Sequence, residues 1–103
     1  MIYEIRTYRL KTGKTAEYIN VVSSEGIKIQ QPHLGHLIGY YYSEIGVLNE
    51  IVHIWAYESL HDRESRRTAL AQDPTWVAFM PNLQCLIETM ENRIMKPFPF
   101  IVP

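Results

Sequence analysis

Strand-like and helix-like segments follow one another in the order β-α-β-β-α-(short α)-β, and that order predicts a ferredoxin-like α+β fold. Three observations carry it. Residues 2–10 and 37–57 are rich in β-branched and aromatic side chains, whereas 14–31 and 59–79 space their apolar residues at helical intervals. Gly46 and Asn49 bracket a tight return between two strands, and Pro32, Pro74 and Pro81 punctuate the helical stretches. The expected molecule is one four-stranded antiparallel sheet with helices on one face. It forms a single domain over residues 1–103, within the roughly 100–150 residues most domains hold.

The first strand runs from Ile2 to Leu10 and ends at Thr12-Gly13. From Lys14 onward Tyr18/Ile19, Val22, Gly26 and Ile29 recur at helical spacing until Pro32 stops the helix. Gly26 costs this helix about 1 kcal/mol relative to Ala, which predicts close contact with the sheet beneath. Residues 37–45 and 49–57 form a hairpin. Ser59 caps the next helix, with Asp62 standing in for the Glu of a capping box, and that helix runs to about Gln72. Asp73-Pro74 restarts it, Asp as the cap and Pro at the first helical position. Pro81 closes this short helix. Leu83 to Met95 is the last strand, long enough to require a bulge or bend. The tail KPFPFIVP reads as an extended arm.

Composition narrows the function classes. The chain is 47% hydrophobic and 20% charged, a globular balance with a core to pack. A net charge of −1 with no basic stripe argues against nucleic acid. No apolar run approaches the ~20 residues needed to span a bilayer, and the alternating start carries no signal-peptide core. A soluble cytoplasmic protein is the expectation. Lone Cys85 excludes an internal disulfide, suits a reducing compartment and reads as a small buried hydrophobe on a strand. The nucleophile-elbow, phosphate-loop and dinucleotide fingerprints are all missing.

The third strand poses the sharpest question. Val52, Ile54 and Ala56 share one face, and His53, Trp55 and Tyr57 share the other. The aliphatic face suits the helices. The aromatic face would then lie open, flanked by Tyr8 and the tyrosines at 40–42. Trp and Tyr each bury ~150–250 Å², so such a patch exceeds the few hundred Å² a soluble monomer tolerates. A second copy related by a two-fold axis would cover it. The expectation is a homodimer of face-to-face sheets, with a cavity against each sheet.

The stretches YEIRTY (3–8), GYYYSEIG (39–46), NEIVHIWAYESLHDR (49–63) and DPTW (73–76) resemble the NIPSNAP family, in that family's order and across most of the chain. The resemblance implies a dimeric α+β barrel. It also implies fold-level kinship with cofactor-free monooxygenases, haem-degrading oxygenases and related isomerases and lyases. It brings no settled reaction with it. The family's motifs fall on Glu4, Arg6, Tyr8, Asn49, His53, Trp55, Tyr57, Arg63 and Trp76. The HLGH turn at 33–36 departs from the pattern.

Among the candidate site residues, Arg6 offers a planar fork matched to a carboxylate or enolate, and it needs a carboxylate partner, Glu4 or Glu88. His53 is the natural proton shuttle, since its ordinary pKa lies near neutrality; the plainer reading is a core histidine bonded to a tyrosine. Tyr8, Tyr41, Trp55 and Tyr57 would wall a pocket for a flat, apolar ligand. Arg63 and Arg67 share a helix stripe with Leu60 and Leu70, where arginines usually lay their stems along the surface; one of them could reach a strand carboxylate or the cavity mouth. His33 and His36 alone are poor grounds for a metal, so none is expected.

Two functions follow. The first is binding or conversion of a small, largely apolar compound with an acidic or carbonyl group, by cofactor-independent oxygenation or proton transfer, with Arg6 and His53 as the catalytic pair. The second is a non-catalytic homodimeric interaction module whose aromatic face serves only assembly. No cofactor is expected; haem is a minor possibility, with His53 as the one strand histidine available to it.

Overall fold

The computed structural model describes residues 1–101. Its elements are β1 (Ile2–Leu10), α1 (Thr15–Val21), α2 (Ile27–Leu34), β2 (His36–Tyr42), β3 (Glu50–Tyr57), α3 (Leu60–Gln72), α4 (Pro74–Phe79), α5 (Pro81–Gln84) and β4 (Ile87–Met95). The strands pair antiparallel in the order β2-β3-β1-β4, the expected topology. The bulge expected in the last strand is present: its register against β1 shifts at Arg9/Leu10, where Thr89 is followed by Ile87 and Glu88 is skipped.

Local chemistry accounts for the boundaries. Ser59 Oγ accepts from the Asp62 N–H at 3.1 Å, and the Asp62 carboxylate accepts from the Glu58 N–H at 3.0 Å, a variant capping box reaching one residue further back. Asp73 Oδ1 accepts from the Thr75 N–H and starts α4 at Pro74. Asn49 adopts φ 61°, the left-handed region Asn tolerates. Its side chain accepts from the Gly13 N–H and the Thr15 hydroxyl, tying the start of β3 to the β1–α1 turn.

Several expectations need correction. Pro32 does not stop the helix; it lies inside α2, which runs on to Leu34. A five-residue π turn, Val22–Gly26, separates α1 from α2 where the VVSS run has poor helix propensity. Gly26 makes close contact with a helix instead of the sheet: a Cβ there would sit 3.1 Å from the Phe79 ring. Pro81 opens α5 and does not simply end α4, so β4 begins at Ile87 and not Leu83. Cys85 is exposed beside α5, off any strand. The tail turns back, with the Ile101 N–H donating to the Phe98 carbonyl, and its last two residues, 102 and 103, lie outside the described residues.

The largest correction concerns the two faces of the sheet. Ile51, His53, Trp55 and Tyr57 point into the helices and are at most 1% exposed, as are Tyr18, Leu34 and Leu70 from the helical layer. Register places Glu4, Arg6 and Tyr8 on the same inner face, opposite Trp55, His53 and Ile51. The outer face carries Tyr3, Ile5, Thr7 and Arg9 of β1, paired with Ala56, Ile54, Val52 and Glu50 of β3. The aromatic set fits the helix side because Trp and Tyr fill space that short aliphatic side chains cannot, and Trp55 Nε1 finds an acceptor in its strand neighbour His53. No helix among the described residues is long and apolar enough to cross a membrane.

Candidate functional site

The interior is organised around one carboxylate. Glu4 is fully buried. Its Oε2 accepts from Arg6 Nη1 at 3.0 Å, Arg63 Nη2 at 2.6 Å and Asn92 Nδ2 at 2.7 Å. Arg67 Nη1 approaches the other oxygen, Oε1, at 3.6 Å, too long for a hydrogen bond. Burial alone would raise the Glu4 pKa, but the Arg63 bond, the Arg6 and Arg67 charges and the Asn92 amide bring it below the usual carboxylate range. Three guanidiniums therefore surround a single carboxylate, leaving an excess of positive charge under the sheet.

Arg6 is held a second time. Its Nε donates to the Tyr8 hydroxyl at 2.8 Å. The Tyr8 ring meets His53 edge-on at 4.9 Å between centroids, and Tyr40 stacks on the other side of His53 at 4.4 Å. The Tyr40 and Tyr18 hydroxyls are 2.9 Å apart. Burial pushes both phenols well above their ordinary range. Trp55 Nε1 donates to His53 Nδ1 at 2.9 Å. Burial first, then the Arg6 and Arg67 charges, pulls the His53 pKa down to about 3, so the imidazole is neutral at physiological pH.

Beside this network lies a partly open cavity of about 110 Å³. Arg6, Arg67, Gln30 and Gln84 supply its polar wall, and Tyr8, Tyr18, Trp76, Met80, Leu83, Ile87 and Met90 supply the rest. The Gln30 side chain is buried and its Oε1 has no partner among the described residues. A second, more open groove of about 240 Å³, chiefly apolar, runs between α1 and β2 and shares Tyr18 with the first.

The structure thus brings together Glu4, Arg6, Tyr8, His53, Trp55, Tyr57 and Arg63 on the inner face. It places the cavity between the sheet and the chain's own helices, not between sheet and partner as the reversed faces had implied. Two expected members fall away. Glu88 is exposed at the β4 bulge, and Glu4 is the carboxylate that meets Arg6. Tyr41 is 55% exposed, paired opposite Val52, so it belongs to the outer face and the groove. His33 is engaged elsewhere: its Nε2 lies 2.7 Å from Asp73 Oδ2, fastening α2 to the α3–α4 junction. Both Arg63 and Arg67 approach Glu4, where the sequence led to the expectation of one, and Tyr40 flanks His53 as expected of the 40–42 run. Sequence reasoning missed Gln30, Tyr18 and Asn92 as members of the site, and nothing in the sequence marks Gln30.

Comparison with known proteins agrees with this architecture. The NIPSNAP family model matches residues 3–101. The NipSnap homolog of Dictyostelium discoideum is 33% identical over 99 residues, covering 93% of this chain and 42% of that protein. NipSnap homolog 2 of Danio rerio is 38% identical over 96 residues, 93% of this chain and 33% of its own. The chain therefore spans less than half the length of these curated relatives. The crystal structure of Atu4242 from Agrobacterium tumefaciens superposes with TM-score 0.95 at 59% identity, covering 97% of this chain and 96% of that one. An antibiotic biosynthesis monooxygenase matches at TM-score 0.66 and 11% identity, a likeness of fold alone. With the family model spanning nearly all of its residues, the chain belongs to the NIPSNAP family.

Proposed function

We propose that the protein binds a small, largely apolar compound carrying a carboxylate or other oxyanion, with the anionic group at Arg6 and Arg67 and the apolar body against Tyr8, Trp76, Met80 and Met90. The observation that supports this reading is the charge imbalance: among the described residues Arg6, Arg63 and Arg67 converge on Glu4 alone, and two of them line the cavity. Buried positive charge in excess of its counter-charge is costly, and an incoming anion relieves it. At about 110 Å³ the cavity is below the roughly 300–1,000 Å³ of drug-sized sites, which suits a ligand of few heavy atoms.

The test is a calorimetric titration with benzoate, phenylacetate and hexanoate, with benzamide as the uncharged control. The expected result is saturable binding of at least one carboxylate, with benzamide weaker than benzoate by about tenfold or more, the scale of one charge-assisted hydrogen bond. Arg67→Gln should show the same loss while remaining folded, since Arg67 is the guanidinium least tied to Glu4. Equal affinity for benzoate and benzamide, or no saturable carboxylate binding, removes the reading.

The outer face supports a homodimer as part of the same proposal. Ile5, Val52, Ile54 and the exposed Tyr41 and Met95 form an apolar strip that no helix among the described residues covers. A second copy on that strip would leave both cavities intact. Sedimentation at micromolar concentration should give twice the monomer mass, and Ile54→Lys should halve it. A cytoplasmic location belongs to the proposal too, since the exposed thiol of Cys85 suits a reducing compartment.

A further inference from the structure

The hydrogen bond between Trp55 and His53 decides which way this site can move protons. An indole N–H is a donor only. His53 Nδ1, 2.9 Å from Trp55 Nε1, must therefore be the acceptor and carries no hydrogen. A neutral imidazole has one N–H, so it lies on Nε2. That atom is buried and has no partner among the described residues. His53 cannot gain a second proton without breaking the Trp55 bond, and the stacked Tyr40 and edge-on Tyr8 leave the ring little room to turn.

The groups around His53 are no better as bases. From β1, Glu4 accepts from Arg6, Arg63 and Asn92 on Oε2. Its Oε1 has no hydrogen-bond partner among the described residues but faces Arg67 at 3.6 Å. The three surrounding cations make the carboxylate a poor base, and Arg6 is a permanent cation. From α3, Arg63 and Arg67 are cations as well. Tyr8, Tyr40 from β2 and Tyr18 from α1 present phenols, and Gln30 from α2 and Asn92 from β4 are amides without basic character.

We infer that His53 is fixed as a neutral Nε2–H donor and that this interior is built to receive an oxyanion already formed, not to create one by removing a proton. Its ligand is accordingly a compound ionised in solution, such as a carboxylate or an acidic enol, and His53, which is not among the residues lining the cavity, is no proton shuttle. The statement about the ligand rests on the proposed function; the statement about the tautomer does not.

Long-range ¹H–¹⁵N correlation of the uniformly labelled protein tests the tautomer without any ligand. His53 is assigned by replacing His33, His36 and His61 with Gln in turn, all of them outside the network. The expected pattern is one tautomer, Nε2 protonated and Nδ1 bare, unchanged from pH 8 to pH 5. Trp55→Phe should convert it to a mixture of tautomers that titrates at higher pH; should that variant not fold, the wild-type pattern decides alone. A proton on Nδ1, or titration of wild-type His53 between pH 6 and 8, overturns the inference. Benzoate affinity should also be flat from pH 6 to 8, with no proton taken up; affinity that follows one group titrating in that window overturns the claim that the anion arrives ready-made. Failure of benzoate and the other carboxylates to bind overturns the proposed function and, with it, the ligand part of this inference, while the tautomer pattern still judges His53.

Discussion

Replacing Glu4 by Gln isolates the charge at the centre of this protein. The amide keeps the size of the carboxylate, so Asn92 and Arg63 retain a nearby acceptor, but three guanidiniums lose the only counter-charge they have among the described residues. Removing one partner of a buried ion pair costs about 3–5 kcal/mol. The lower end applies, because the Arg6, Arg63 and Arg67 side chains keep 12%, 26% and 25% of their surface exposed and water screens part of the repulsion. A loss of about 3 kcal/mol is expected, a fall in Tm of roughly 12 °C or more for a domain this size. Urea melts at pH 7 should show a lower midpoint and an unchanged slope, since the area buried on folding is the same. A loss under about 1 kcal/mol would refute the view that Glu4 is the keystone of a net-positive cluster.

Other consequences follow from the same interior. Folded His53 stays neutral down to about pH 3, whereas the unfolded chain takes up that proton near its ordinary 6.5. Stability therefore falls as pH drops below 6.5, by about 2 kcal/mol at pH 5; melts at pH 7 and 5 should show this in the wild type and lose it in His53→Leu. Glu4 acts in a lower window. Its folded pKa is depressed below 4.5, so its contribution is complete above pH 4.5 and erodes as pH falls towards the folded value, and Glu4→Gln should flatten that limb of the profile. Gly26→Ala gains about 1 kcal/mol of helix propensity but presses on the buried Phe79 ring at 3.1 Å. Overpacking costs about 1–3 kcal/mol, so a net loss is expected, recovered when Phe79→Leu is added. Ser59→Ala should cost about 1 kcal/mol by chemical denaturation, the value of a lost cap.

The strands and caps were legible because their signals are local. Ile2–Leu10 is rich in β-branched and aromatic residues and ends at Thr12-Gly13, and Ser59 and Asp73 announce helix starts by side-chain chemistry that needs no tertiary context. Pro32 misled because proline is tolerated within a helix whose neighbours hold it in place. The faces of β3 were read backwards for a deeper reason. Hydrophobicity favoured burying Val52 and Ile54, but His53, Trp55 and Tyr57 are larger and fill the space beneath the helices, and the size of that space cannot be seen along one strand. Glu4, Arg6, Tyr8, His53, Trp55, Tyr57 and Arg63, which the motifs single out, share one inner face. Their contacts are not legible in sequence, because that of His53 depends on which nitrogen faces Trp55, and that of Arg63 on a carboxylate 59 positions away.

The most direct measurement is a ¹H–¹⁵N spectrum that includes the arginine Nε–H and glutamine amide signals, recorded as benzoate is added. Saturable shifts are expected at Arg6, Arg67 and Gln30, and the shifts at Arg6 and Gln30 should need about tenfold more ligand with benzamide or in Arg67→Gln. Shifts confined to Tyr3, Ile5, Val52 and Ile54 on the outer face, or none at all, would contradict an anion site beneath the sheet.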